Sequence, residues 1–246
     1  MGKKLIVILL SIIAIGCKKS YERSCFKGTG DIDSVVYEFA PGYEEFILGT
    51  YLKYEFYQDS SNSVVIRGGK NMIYLVEVVD LDTALQFNDK NMCNFLRNGK
   101  DEIIVELHFP SYTHIVGKPS DSVIFKDTIS GDVLTIDFKN GAGSSDLKVN
   151  LNILVLSITT GAGDFRVGGN VAVKSDLVVK QNAWGDASDL NCPYYFIHSR
   201  TNGDLHVNLN GATADIFLTG TGDIYYAGTP ADTNLSVDGD GNLIAE

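Results

Sequence analysis

The chain has 246 residues, with 20 Lys and Arg against 31 Asp and Glu, a net charge of −11, and 25 glycines against 5 prolines. This length suits one large all-β domain or two small ones. So acidic a balance excludes a nucleic-acid binder, because phosphate backbones demand basic patches.

The N-terminus reads MGKKLIVILLSIIAIGC. Lys3 and Lys4 precede an apolar run from Leu5 to Ile15, which fits an export signal and falls short of the ~20 residues a membrane-spanning helix needs. Ala14-Ile15-Gly16-Cys17 resembles a bacterial lipobox, with Ala14 where the best-known form carries Leu. The resemblance implies a diacylglycerol thioether on Cys17, cleavage before it and acylation of its new amine. Residues 1–16 are then a lipoprotein signal peptide and 17–24 a short tether. Cleavage removes two lysines and no acid, leaving 18 basic against 31 acidic residues, a charge of −13. Each buried methylene contributes about 0.8 kcal/mol, and two or more acyl chains hold stably where one does not. The expected location is the cell envelope, lipid-anchored to the outer membrane. Lys18-Lys19-Ser20-Tyr21-Glu22 lacks the acidic run that resembles a surface-export signal in some Bacteroidetes lipoproteins, so periplasmic and surface-facing orientations both stay open.

With Cys17 lipidated, Cys25, Cys93 and Cys192 remain. In an oxidising compartment they predict one disulfide and one free thiol. No pair has C-x-x-C spacing, so neither zinc nor another metal is expected, and no cofactor motif is present. His108, His114, His198 and His206 are scattered among strand positions and read as surface or strand-face residues.

Residues 25–138 read as all-β but irregular. GTGDI at 28–32 opens them, and strands are predicted over Leu52–Tyr57, Val64–Arg67, Ile73–Val79, Ile103–Phe109, Ser122–Lys126 and Val133–Phe138. Asp59–Ser63, Gly68-Gly69 and Asn98-Gly99 mark turns, and Asp89–Arg97 a loop or short turn. No linker rich in Pro, Ser or charge separates this half from the next, so one continuous molecule is expected.

From 139 to 246 a phrase recurs: small residue and Gly, then Asp, then an apolar strand. It appears as GAGSSDLKV (141–149), GAGDFRV (161–167), WGDASDL (184–190), NGDLHV (202–207), GTGDIYY (220–226) and GDGNLIA (239–245). The markers Asp146, Asp164, Asp186, Asp204, Asp223 and Asp240 are separated by 18, 22, 18, 19 and 17 residues, a mean near 19. Short strands and glycine turns at that period predict a parallel β-solenoid, with coils stacked ~4.8 Å apart. Glycine supplies positive φ at the corners, and Asp bonds backbone amides of its own corner. Hairpins of a sandwich or barrel are the competing arrangement; the steady spacing favours the solenoid. The last coil, ending at Glu246, leaves an open edge that needs capping by polar residues or by a partner chain.

Residues 25–246 resemble the putative auto-transporter adhesin, head GIN domain family, found widely as lipoproteins of Bacteroidetes. CFKGTGDI (25–32), DKNMCNFLR (89–97), TGAGDFRV (160–167), TGTGDIYYAGTP (219–230) and VDGDGNLI (237–244) carry the resemblance. It implies a right-handed parallel β-helix, and a Cys25–Cys93 disulfide that leaves Cys192 reduced. It implies little about activity, since the adhesin label rests on analogy of fold.

Asp238-Gly-Asp240-Gly-Asn242 is similar to the start of a calcium loop, but the glutamate at the twelfth loop position would fall beyond Glu246, and turn chemistry accounts for the phrase. No Ser-His-Asp pattern, phosphate loop or catalytic cysteine signature stands out. A row of stacked Asp on a β-helix would suit a polysaccharide lyase or hydrolase, the alternative to a non-catalytic binding or structural module. Among the aromatics at 184, 194–196 and 225–226, Trp184, Tyr195 and Tyr225 are the candidate surface residues, since strand neighbours face opposite ways. A glycan or an envelope protein is the expected partner, besides the membrane.

Overall fold

A computed structural model describes residues 28–92, 94 and 102–246. Cys17, Cys25, Cys93, the export signal and the tether lie outside these. The described chain is nearly all β, with 60% strand and 2% helix, and its C-terminal half is a β-solenoid of about 7 turns. In chain order the front strands are β1 (Ile32–Glu38), β2 (Glu45–Leu48), β3 (Lys53–Gln58), β4 (Ser63–Gly69), β5 (Val76–Asp80), β6 (Ala84–Asp89), β7 (Ile104–Phe109), β8 (His114–Gly117) and β9 (Val123–Phe125), with a short helix α1 (Lys70–Ile73). Then come β10 (Ile129–Phe138), β11 (Ser145–Ile158), β12 (Phe165–Gln181), β13 (Gly185–Ala187), β14 (Leu190–Asn191), β15 (Tyr194–Thr201), β16 (Leu205–Asn208), β17 (Thr213–Leu218), β18 (Ile224–Ala227), β19 (Asp232–Val237) and β20 (Leu243–Ala245).

Two long parallel walls result. The first runs β6-β2-β8-β10-β11-β12-β15-β17-β19. The second runs β7-β3-β9-β11-β12-β13-β16-β18-β20. β11 and β12 are long enough to bend round a corner and serve both, and their middles pair with the start of β10 and with β14 as a short third side.

Alternation decides what is buried. In β15 the even positions half-face water while Tyr195, Ile197 and Ser199 point inward. Register stacks like on like, so Leu177, Ile197 and Ile216 form one buried column. Each such side chain contributes ~1.5–3 kcal/mol. Phe165, Gly185, Leu205 and Ile224 form another. There the glycine makes room: a Cβ on Gly185 would sit 2.4 Å from the Phe165 ring and 2.7 Å from Leu205. One apolar cluster runs from Phe46 to Ile224, and its front is aromatic, with Phe46, Phe56, Phe109, Tyr112 and Phe125 in edge-on or tilted contact.

The front half is more regular than its sequence suggests, but its coils are out of order. β2 and β3 precede β6 to β9 in the chain, yet they lie between β6 and β7 on one side and β8 and β9 on the other. The outer side of β6–β7 is closed by antiparallel strands: β5 on β6, β4 on β7 and β1 on β4. Here α1 replaces the start of the strand predicted over Ile73–Val79. Met72 and Ile73 are buried as a plug, and the strand begins only at Val76. At the other end, β19 and β20 have no outer neighbour among the described residues, and Leu235 and Val237 are 42% and 46% exposed.

Candidate functional site

The repeat phrase builds one corner of the coil. Backbone bonds stack Asp164, Trp184, Asp204, Asp223 and Asn242 in one column, through the Phe165 amide to the Trp184 carbonyl and its counterparts at Gly185, Leu205 and Ile224. Successive members are 20 or 19 residues apart. The uneven marker spacing in the sequence thus has a simple origin. Asp146 and Asp186 lie two residues after the column and Asp240 two before it, so three of the six markers hold other positions.

The carboxylates on the column have a structural task. Asp164 accepts the amide of Trp184, Asp204 that of Asp223, and Asp223 that of Asn242, at 2.7–2.9 Å. Each tethers the next coil rather than its own corner. Asp186 does bond its own corner, through the Ser188 amide and hydroxyl. Burial pushes its carboxyl up, but Ser188 and the Arg166 guanidinium outweigh that and hold it below the usual range. Most corner glycines are needed for close approach rather than for positive φ. A Cβ on Gly222 would lie 2.0 Å from the Gly203 carbonyl oxygen; Gly161, Gly169 and Gly117 combine such a clash with positive φ, at 103°, 116° and 147°.

Next to this column, on the outer face of the second wall, register aligns Arg166, Asp186, His206, Tyr225 and Ile244, one per coil. His206 stacks on Tyr225 at 5.0 Å with 13° between planes, and Trp184 tilts against His206 at 5.8 Å. Glu246 lies 3.3 Å from His206 Nδ1. All three rings are half-buried. Burial and the nearby carboxylates of Asp223 and Asp204 push the Tyr225 hydroxyl up, so it stays a neutral donor. The arrangement offers a rigid aromatic strip with acceptors along its edge, suited to stacking a planar or sugar-ring face while bonding its rim.

Of the predicted surface aromatics, Trp184 and Tyr225 belong to this strip and Tyr195 does not. Tyr195 is fully buried and donates its hydroxyl to the Leu190 carbonyl at 2.7 Å. Its inward neighbours in register are Ser175 and Ala214, and two small residues leave room for a tyrosine ring between them. The outward partner of that pair is Tyr194, whose hydroxyl bonds Asp215. His206 lies on a strand face as its sequence position suggests, and only the coil offset brings it between Trp184 and Tyr225. Cys192 is a buried free thiol near the Tyr194 carbonyl, its pKa pushed up by burial. Among the described residues, no group of three or more His, Cys, Asp or Glu is placed to hold a metal ion, and no helix is long and apolar enough to cross a membrane.

The family model described as putative auto-transporter adhesin, head GIN domain, matches residues 42–245. Among solved structures, a putative adhesin from Bacteroides fragilis is similar with a TM-score of 0.75 and 20% identity, covering 88% of this chain and 97% of its own. A putative lipid binding protein from Parabacteroides distasonis reaches 0.63 at 16% identity, over 88% and 98%. A putative adhesin from Parabacteroides merdae reaches 0.59 at 18% identity, over 89% and 98%. At these identities the likeness is one of fold. No curated protein matches the chain.

Proposed function

The chain belongs to the putative auto-transporter adhesin, head GIN domain family, and on that footing we propose that it is a non-catalytic binding module of the cell envelope, held to the outer membrane by lipid on Cys17. The observation that carries the binding role is the strip Trp184–His206–Tyr225 on a stiff parallel wall. Partner rings or sugar faces stack on it, and the stacked coils keep its spacing fixed, so little ordering entropy is lost on binding. The adhesin names of similar structures support a binding role, as does the lipid-binding name of one of them. The stacked acids do not favour an enzyme, because Asp164, Asp204 and Asp223 are committed to backbone amides.

Trp184 is the chain's single tryptophan, so its emission reports the strip directly. On an array of glycans and envelope proteins, a bound partner is expected to shift Trp184 emission saturably, and a Trp184→Ala/Tyr225→Ala variant to lose at least tenfold in affinity. A partner that binds both proteins equally, or turnover of an arrayed polysaccharide, would overturn the reading. The anchor is tested by labelled palmitate: wild type incorporates it and Cys17→Ser does not. In the same reading residues 17–24 form the tether to the domain at 25–246, and Cys25 pairs with Cys93. Non-reducing peptide mapping is expected to recover that pair, and recovery of Cys25 as a free thiol would remove it.

A further inference from the structure

Beside the Asp column, the same corner carries a groove of about 490 Å³, lined among others by Lys180, Arg200, Asn202, Thr221, Asp238 and Asp240. Its polarity follows the coils. Lys180 in β12 and Arg200 in β15 are direct register partners, about 4.8 Å apart along the stack. The next coil brings Thr219–Thr221, through the Thr219 amide to the Ser199 carbonyl. The last brings Asp238 and Asp240, whose amides bond the carbonyls of Leu218 and Gly220. Two cations thus stand at one end, an amide and hydroxyls in the middle, and two carboxylates at the other end.

Two unpaired cations in direct register are what sets this groove apart. Elsewhere on the coils Lys139 meets Asp137 at 2.7 Å, Lys174 meets Asp176 at 3.0 Å and Arg166 meets Asp186 at 3.2 Å, while Lys148, which has no ion pair among the described residues, faces Gly168 rather than a second cation. In two of these pairs the acid is two residues away on the same outer face. At the equivalent positions Lys180 has Val178 and Arg200 has His198. Neither cation has an ion pair among the described residues. Like charges opposite one another on neighbouring strands destabilise a sheet, so in a chain of net charge −11 this uncompensated pair is a costly arrangement. A bound anion would supply the missing partner. Arginine offers a planar fork to a carboxylate or sulfate, and lysine a point charge beside it.

We propose that this groove binds an acidic oligosaccharide, with its carboxylate or sulfate between Lys180 and Arg200 and its hydroxyls donating to Asp238 and Asp240. The carboxylate end is what favours a sugar over a membrane surface. An anionic bilayer would press its charges on both acids, whereas a sugar chain places its anion at one end of the groove and hydroxyl donors at the other. Asn202 and Thr221, already bonded to each other at 2.9 Å, form the floor between.

The proposal rests on the binding-module reading and names a ligand class for a second surface beside the aromatic strip. Calorimetric titration of the purified chain with oligogalacturonate, its methyl ester and a chondroitin sulfate oligosaccharide tests it. An acidic sugar is expected to bind, with affinity falling as salt rises, and the ester at least tenfold more weakly. Lys180→Ala/Arg200→Ala is expected to lose at least tenfold with Tm unchanged or raised, since it also removes the like-charge pair, while Lys180→Arg retains binding. Equal binding of acid and ester, no loss in the double variant, or binding of phosphatidylglycerol vesicles in place of either sugar would overturn it. If neither acidic sugar binds, the groove falls, and the strip stands or falls on its own array experiment. If binding is lost only in the Trp184/Tyr225 variant, the strip is the site and the groove is not.

Discussion

At the scale of single residues, the corner of the coil is where the sequence is least free. Gly222 approaches the Gly203 carbonyl so closely that any Cβ must displace backbone. Gly222→Ala is expected to cost about 1–3 kcal/mol, the usual range for overpacking, read as a drop in Tm or in the denaturant midpoint. Inside the coil, Tyr195→Phe removes one buried bond to Leu190. It leaves that carbonyl unpaired on one side and is expected to cost about 1 kcal/mol. His198 introduces a pH dependence. Burial first, then Lys180 and Arg200, lower its pKa, with the Phe217 ring and the Thr219 hydroxyl as its other close neighbours. The fold therefore favours the neutral ring. Its contribution is fully present above the unfolded value of ~6.5 and is lost as pH falls through the lower folded value. As pH drops from neutral into the acid range, the Tm of wild type should fall by more than that of His198→Gln, whose profile is flatter there. A variant that loses Tm equally at every pH would deny His198 this role.

At the scale of elements, legibility follows periodicity. The regular coils of the second half were readable because glycine, Asp and alternating apolar residues recur at nearly constant spacing. Even so, the period is blurred, since Asp146 and Asp186 belong to the outer row of Arg166, His206 and Tyr225 rather than to the corner column. In the front half, β3, β4, β7 and β9 fall close to predicted segments, while β1, β2, β6 and β8 were not predicted. β2 and β8 are only four residues each and carry too little alternation to register alone. The phase of Tyr194-Tyr195 could not be read from the strand itself, because Ser175 and Ala214 decide it from neighbouring coils. The helix α1 escaped for a related reason. Four residues have no period, and only the exposed end of the stack calls for the plug that Met72 and Ile73 supply. Ile73→Ala should therefore cost about 2–5 kcal/mol, as a large-to-small change in a packed site, although it lies at one end of the molecule. Arg67→Ala, which removes a contact of 2.6 Å to Glu106 from a half-exposed side chain, should cost under about 1 kcal/mol. Parallel chemical denaturation of the two variants separates plug from surface pair.

For the whole molecule, the out-of-order front coils bear on how the chain becomes a fold at all. β2 and β3 are the first coil to emerge in synthesis or export, and they are flanked on both sides by strands that emerge later, ending with β9 at Phe125. No stretch that stops short of β9 can give that first coil both neighbours. The front half must therefore wait as a unit, and the loops it closes are long, which slows folding. A nested series of C-terminal truncations, probed by limited proteolysis, is expected to show no protected β2–β3 fragment in chains ending near Phe109, and protection only once β9 is present. Beyond β9 the coils follow chain order, each a template for the next. The molecule is thus expected to fold by an all-or-none nucleation followed by sequential growth, with the seam between them where the chain first returns past its own beginning.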